Sequence, residues 1–327
     1  MNSDLNRDTS EESRLRLSPL SSRDAGYSVA KKCLEVQAAA ELADPSLRRG
    51  KDVTLHPEAW SWYVGAIGEA EVGRLLSALG PEWMVRHAVP IGTGTADIDH
   101  LVIGPGGVFA LNTKRHADSS IWVGDRVLRV NNQNMPYLDR ARNEARDASR
   151  RLSARVGFLV PVTAVLVFVG ADSVRDAREG DRTSPVVIVG DELVPWLRKQ
   201  PMSGATEAQL DAVRAAADEP STWHVDPSAA DTLRVMERFR RFAAAVGSPP
   251  PPPVTEDGRL VYPHLSSASV RPARSTVPRG RPSQREMRRR ARRTEDLIKL
   301  VLLILAGLSF PIWGPSLIAA LTAAMTP

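Results

Sequence analysis

Four polar residues, Asp97, Asp99, Asn112 and Lys114, stand at a spacing that chemistry could use. They belong to one stretch in which two apolar runs, Ile98 to Ile103 and Val108 to Leu111, flank the turn Gly104-Pro105-Gly106-Gly107. Runs of β-branched and aromatic residues on either side of such a turn predict a β-hairpin. Symmetric pairing about the turn sets Asp99 opposite Asn112 and Asp97 opposite Lys114. Side chains alternate faces with period two, so all four share one face at the open end, and Leu101, Ile103, Val108 and Ala110 continue it towards the turn. Opposed Cβ atoms lie about 5 Å apart. Two carboxylates, an amide and an ammonium therefore converge, at a cost unless they bind something or pair with one another. His100 falls on the other face, where packing or a hydrogen bond accounts for it. Gly104 to Gly107 has no following helix with Lys-Ser/Thr, so it reads as a turn and not a nucleotide cradle.

The elements that must hold this hairpin are legible on either side. A helix with buried-face spacing starts near Pro57, runs through Trp60, Val64, Ile67, Val72 and Leu76, and stops at Gly80-Pro81. Within it, Gly65-Ala66-Ile67-Gly68-Glu69 puts two small residues beside a glutamate, which lets the helix pack closely on a sheet. Trp83 to Pro90 reads as a strand, and Ile121 to Val130 as one or two more about a Gly124-Asp125 turn. An amphipathic helix follows from Met135 to Val156. Its Arg142, Arg146 and Arg150 form a stripe that could hold phosphates, but Asp139, Glu144 and Asp147 share the helix, and a solvated face explains them with less. Val162 to Val169 and Pro185 to Val189 read as buried strands, and Asp191 to Leu197 as a capping helix. Helix, strands, helix, strand, strand predicts an α/β fold with a mixed central β-sheet flanked by helices, over residues 57–200.

The flanks are of different character. Residues 1–26 are charged, Ser-rich and aperiodic, as in a disordered segment, and hold no apolar stretch of the kind a secretory signal needs. A helix and linker occupy 27–56, and a helical extension 201–247. The chain has 327 residues and a formal charge of +5, but the charge is not spread evenly. Lys51 to Gln200 carries 18 basic against 18 acidic residues, whereas Val254 to Asp296 carries 11 against 5. The folded core thus presents no global electrostatic footprint for nucleic acid. A Pro- and Arg-rich linker spans 248–296, with eight arginines between Arg279 and Arg293. Leu300 to Met325 then runs 26 residues without a charged side chain, beyond the roughly 20 that cross a bilayer core. A transmembrane segment is expected over 297–325, interrupted by Pro311 and Gly314-Pro315. The adjoining arginines favour a cytoplasmic soluble domain anchored to the cell membrane by one C-terminal pass. One cysteine, Cys33, excludes an intramolecular disulfide framework and fits a reducing compartment.

At Gly65 to Glu69, Asp97-Ile98-Asp99-His100, Gly104 to Phe109 and Asn112-Thr113-Lys114, the chain resembles the nuclease-related domain family. The resemblance covers about Pro57 to Asp172. That family resembles a branch of the PD-(D/E)XK nucleases, which implies a restriction-endonuclease-like fold, its mixed central sheet flanked by helices, and metal-dependent cleavage of DNA or RNA. The resemblance gives Glu69 the place of the helix glutamate, Asp99 that of the first metal-binding carboxylate and Lys114 that of the catalytic lysine.

Such a site needs a hard cation, Mg²⁺ or Mn²⁺, held by carboxylate, amide, carbonyl and water oxygens. Glu69, Asp99 and Asn112 are the expected ligands together with the Thr113 carbonyl, and Asp97 is either a spare ligand or a salt-bridge partner of Lys114. Only 6 of the 43 basic residues are lysines, so a lysine at 114 favours a chemical role over generic charge. Asn112 departs from the superfamily pattern, which has Asp or Glu there. Two functions are therefore expected of the sequence: a membrane-tethered nuclease, or a degenerate domain that binds nucleic acid or acts as a scaffold without cutting.

Overall fold

The computed structural model describes residues 20–91, 97–223 and 232–254. The expected transmembrane segment, most of the Pro- and Arg-rich linker and residues 1–19 lie outside the described residues. Among the described residues, no helix is long and apolar enough to cross a membrane.

Helix α1 (Tyr27–Ala43) is followed by the short pair β1 (Arg48–Arg49) and β2 (Asp52–Val53). Helix α2 (Pro57–Leu76) begins with proline at its first position and His56 Nδ1 accepting the Glu58 amide as a cap. Strands β3 (Met84–Pro90), β4 (Asp97–Gly104) and β5 (Gly107–Arg115) form a meander, and β6 (Ser120–Val123), β7 (Leu128–Val130) and β8 (Gln133–Met135) a second one. Then come α3 (Tyr137–Val156), β9 (Val162–Val169), β10 (Ser173–Asp176), β11 (Val186–Val189), α4 (Gly190–Arg198), α5 (Glu207–Asp218) and α6 (Thr232–Val246).

The central sheet has the order β11-β9-β5-β4-β3 and is mixed as expected: antiparallel from β3 to β5, parallel from β5 through β9 to β11. Alternation divides β4, β5 and β9 between two apolar layers. Leu101, Ile103, Val108, Ala110, Leu166 and Phe168 meet α3 and α5. Val102, Phe109, Leu111, Val165 and Val167 meet Val72 and Leu76 of α2 and Leu193 of α4. Each layer is close to solvent-free, which is the main source of stability in such a sandwich.

A second, four-stranded sheet of order β10-β6-β7-β8 stands beside the first, and its Ile121, Val123, Leu128 and Val130 enter the α3-side core. Strands β8 and β10, three and four residues long and largely polar, carry too short a pattern to be read from sequence. A third cluster joins α1, the start of α2 and α6, where the Tyr63 ring stands edge-on to Phe242. Cys33 is buried in this cluster, and burial pushes its thiol up to about 12, so it is an inert packing residue.

Candidate active-site notch

The β4–β5 hairpin pairs in the register the sequence dictates, Ile103 with Val108, Leu101 with Ala110 and His100 with Leu111, closed by Gly104 and Gly107. Gly107 has φ +118, a value that L side chains rarely adopt, which explains glycine at the end of this turn. Beyond His100 the ladder stops. On the β3 side the pairs run from His87–His100 to Val89–Ile98 and skip Ala88 and Asp99. Asp99 is thus unpaired in both ladders, and Ala88 beside it holds φ +49, a strained value for a residue with a Cβ. The guanidinium of Arg23 donates to the Ala88 carbonyl and ties this distorted point to the segment before α1.

Where the ladder opens, Asp99 replaces it. Its Oδ2 accepts the Thr113 amide at 2.6 Å, a charge-assisted bond that anchors the carboxylate between the strands. Asn112 donates through Nδ2 to Oε2 of Glu144 on α3 at 2.6 Å. Lys114 Nζ donates to the Thr113 carbonyl at 2.9 Å and lies 5.3 Å from the centroid of the Tyr137 ring, also on α3. Tyr137 in turn shares a hydrogen bond with His116 at 3.0 Å. Helix α2 supplies Glu69 from the other side of the sheet. It reaches β5 because residue 68 is glycine: a Cβ there would sit 2.8 Å from the Cβ of Arg115.

The four predicted hairpin residues do not all meet. Asp97 makes no ion pair with Lys114; it accepts a hydrogen bond from Ser28 of α1 and feels the Arg23 charge. The reason is the end of the ladder: once β4 and β5 part, residues two steps further on no longer face each other. Glu69 by contrast joins the group through electrostatic contact with Asp99, Asp97, Lys114 and Glu144. Glu144 joins the site although its charged neighbours on α3 suggest a solvated face. It sits three residues after Ala141 and four before Ala148, both buried on α3, so its place on the flank of the buried face was available in the helical period.

Burial and crowding raise the carboxyls of these acids above their usual range. Glu69 is 5% exposed, and its carboxyl lies well above the usual range because of desolvation first and the neighbouring Asp99 and Asp97 second. Burial and then Asp99 push Asp97 up to about 6 and Glu144 up to about 7. Asp99 is raised by burial against the opposing pull of Lys114 and the Thr113 amide. Four carboxylates face two cations, Lys114 and Arg23, and the balance calls for protons or a bound cation.

The donor set suits a hard divalent ion in kind. Glu69 Oε2, Asp97 Oδ2 and Asn112 Oδ1 are buried oxygens without a hydrogen-bond partner. Among the described residues, no group of three or more His, Cys, Asp or Glu side chains is assembled to hold a metal ion. An ion here would need amide, carbonyl or water oxygens besides carboxylates.

The other candidates resolve simply. His100 is fully buried and shares a 2.8 Å Nδ1–Nδ1 hydrogen bond with His87; burial drives His87 down to about 4 and His100 well below its usual value, so the pair is neutral. The α3 arginines are engaged locally, Arg142 with Asp139, Arg146 with Asn143 and Arg150 with Asp147.

Residues 64–169 match the family model described as the nuclease-related domain. No curated protein and no solved structure matches the chain. The matched segment runs from the middle of α2 to the end of β9 and contains Glu69, Asp97, Asp99, Asn112, Lys114 and Glu144. Over that segment the chain is similar to the nuclease-related domain family, and these six residues of the notch lie inside the match, whereas Arg23 and Ser28 lie outside it.

Proposed function

We propose that the notch is a divalent-cation-dependent phosphodiesterase site of the PD-(D/E)XK type, acting on DNA or RNA, in a domain of restriction-endonuclease-like class. The observation that carries this reading is that Glu69, from α2, comes into electrostatic contact with Asp99 and Lys114, while buried oxygens of Glu69 and Asn112 have no hydrogen-bond partner. Bound Mg²⁺ or Mn²⁺ supplies the Lewis acidity that activates water and offsets charge on the phosphate. Glu69, Asp99 and the Asn112 oxygen would hold it, with Asp97 as a further carboxylate. Lys114 is steadied by the Thr113 carbonyl and the Tyr137 ring, so its charge is fixed where a scissile phosphate gains charge. Burial of the acids keeps water from screening that charge.

The test is cleavage of single-stranded, double-stranded and branched substrates by the full chain with Mg²⁺ or Mn²⁺. Cleavage that disappears in Asp99→Ala and Lys114→Ala is the expected result. Cleavage that survives both overturns the assignment. A second reading, nucleic-acid binding or scaffolding without cleavage, is favoured by the amide at position 112, which adds no negative charge to the ligand set. It predicts binding without cutting on every substrate.

The composition of the tail supports a membrane-tethered form of either function. The uncharged stretch within 297–325 and the arginines before it support a single C-terminal pass with the domain on the cytoplasmic side. Full-length protein that is released from membranes by alkaline extraction would refute the anchor.

A further inference from the structure

Asn112 is 6% exposed, and its amide is asymmetrically satisfied: Nδ2 is bonded and Oδ1 is not. Oε2 of Glu144 accepts from the amide nitrogen, and that bond fixes which end of the amide faces α3. The unpartnered oxygen is left on the side of the notch. Glu144 is itself half-buried, and the charges that act on it are those of Asp99, Lys114 and Asp97, the same groups that act on Glu69. Its helical neighbours behave differently. Asp139 pairs with Arg142, and Asp147 with Arg150 and Arg151, at the helix surface. Glu144 instead bonds the Asn112 amide and feels the charges of the notch.

We infer that Glu144 is a positioning residue: it aims the Asn112 oxygen into the notch and returns from α3 the negative charge that β5 lacks at position 112. This rests on the reading of the notch as a divalent-cation site. Groups that orient a ligand in this way typically change metal affinity by about 10- to 100-fold.

The experiment is calorimetric titration of the full chain with Mn²⁺ alone, with no substrate. Wild type, Asp99→Ala, Glu144→Gln and the double variant Asn112→Asp/Glu144→Gln are compared, and thermal unfolding checks that each is folded. Glu144→Gln leaves shape unchanged but can present an amide to Asn112 and carries no charge, so binding weakens at least about tenfold. Asp at 112 places a carboxylate directly on the strand, so the double variant recovers to within about threefold of wild type, since the charge lost from α3 now stands on β5. A merely structural role for Glu144 would leave the double variant as weak as the single one, and that result overturns the inference. So does Glu144→Gln binding as well as wild type. Glu144→Ala, alone and with Asn112→Asp, repeats the comparison without an amide at 144. Wild type that binds and Asp99→Ala that does not, together with an unaffected Glu144→Gln, sinks the role of Glu144 alone. Wild type that binds no Mn²⁺ sinks the cation reading and this inference with it.

Discussion

The two ends of one hairpin follow opposite rules. At the turn end, β4 and β5 pair residue for residue, and Leu101, Ile103 and Leu111 are fully buried between apolar layers. At the open end, a few residues away, pairing stops, a backbone strain sits at Ala88, and acids are buried with oxygens left unpartnered. The first end lowers the free energy of the fold. The second raises it, and burying unpartnered oxygens that way is expected only where a site needs them. The same strands thus serve as scaffold and as site, and the boundary is the step from His100 to Asp99.

That contrast can be broken in order of effect. Asp99→Ala should lower cation-dependent cleavage by about 10³-fold or more. Its stability without cation should stay within about 1 kcal/mol of wild type, because the lost Thr113 bond is offset by relief of crowding. Cleavage assays and chemical denaturation read the two quantities. Leu101→Ala, at the turn end, should show the reverse: a loss of about 3 kcal/mol in denaturation, with the folded fraction still active. Lys114→Arg keeps the charge but replaces a compact ammonium with a planar fork, and cleavage should fall by about 10- to 100-fold without a change in stability.

The last effect leaves the chemistry aside and is the most specific to the open end. Asp97 has a folded value of about 6 against an ordinary 3.8, so its folded value is raised. A raised group contributes stability below its unfolded value and loses it as pH rises through the folded one. Asp97→Asn should therefore lie close to wild type near pH 4 and exceed it by about 3 kcal/mol at most at pH 8 in cation-free buffer, read as a higher Tm. An equal pH profile for the two proteins would show that Asp97 is not held as described.

The difference between the ends also explains what the sequence discloses. Register at the turn end follows from alternation and a glycine turn, both local, and the pairing of Leu101 with Ala110 is the one expected. Facing at the open end depends on where the ladder stops, and that is decided by Ala88, Arg23 and the Asp99–Thr113 bond, which come from three separate parts of the chain. Symmetric pairing therefore gives a false partner for Asp97. Asp99, Asn112 and Lys114 are visible as a group because they share a strand face, whereas Glu69 enters only through resemblance, since no local rule brings a helix residue across a sheet. Glu144 hides among charged neighbours on α3, and only its distance from Ala141 and Ala148 marks it as different.

Gly68 carries a consequence of another kind. It sets the thickness between α2 and β5 with a hydrogen atom, and Glu69 is the next residue along. A methyl at that position would act as a shim, lifting the helix and withdrawing the glutamate while every charged side chain of the notch stayed in the sequence. A lineage could in this way lose the site by a single apolar change, and a survey confined to acids and lysines would count that protein as intact.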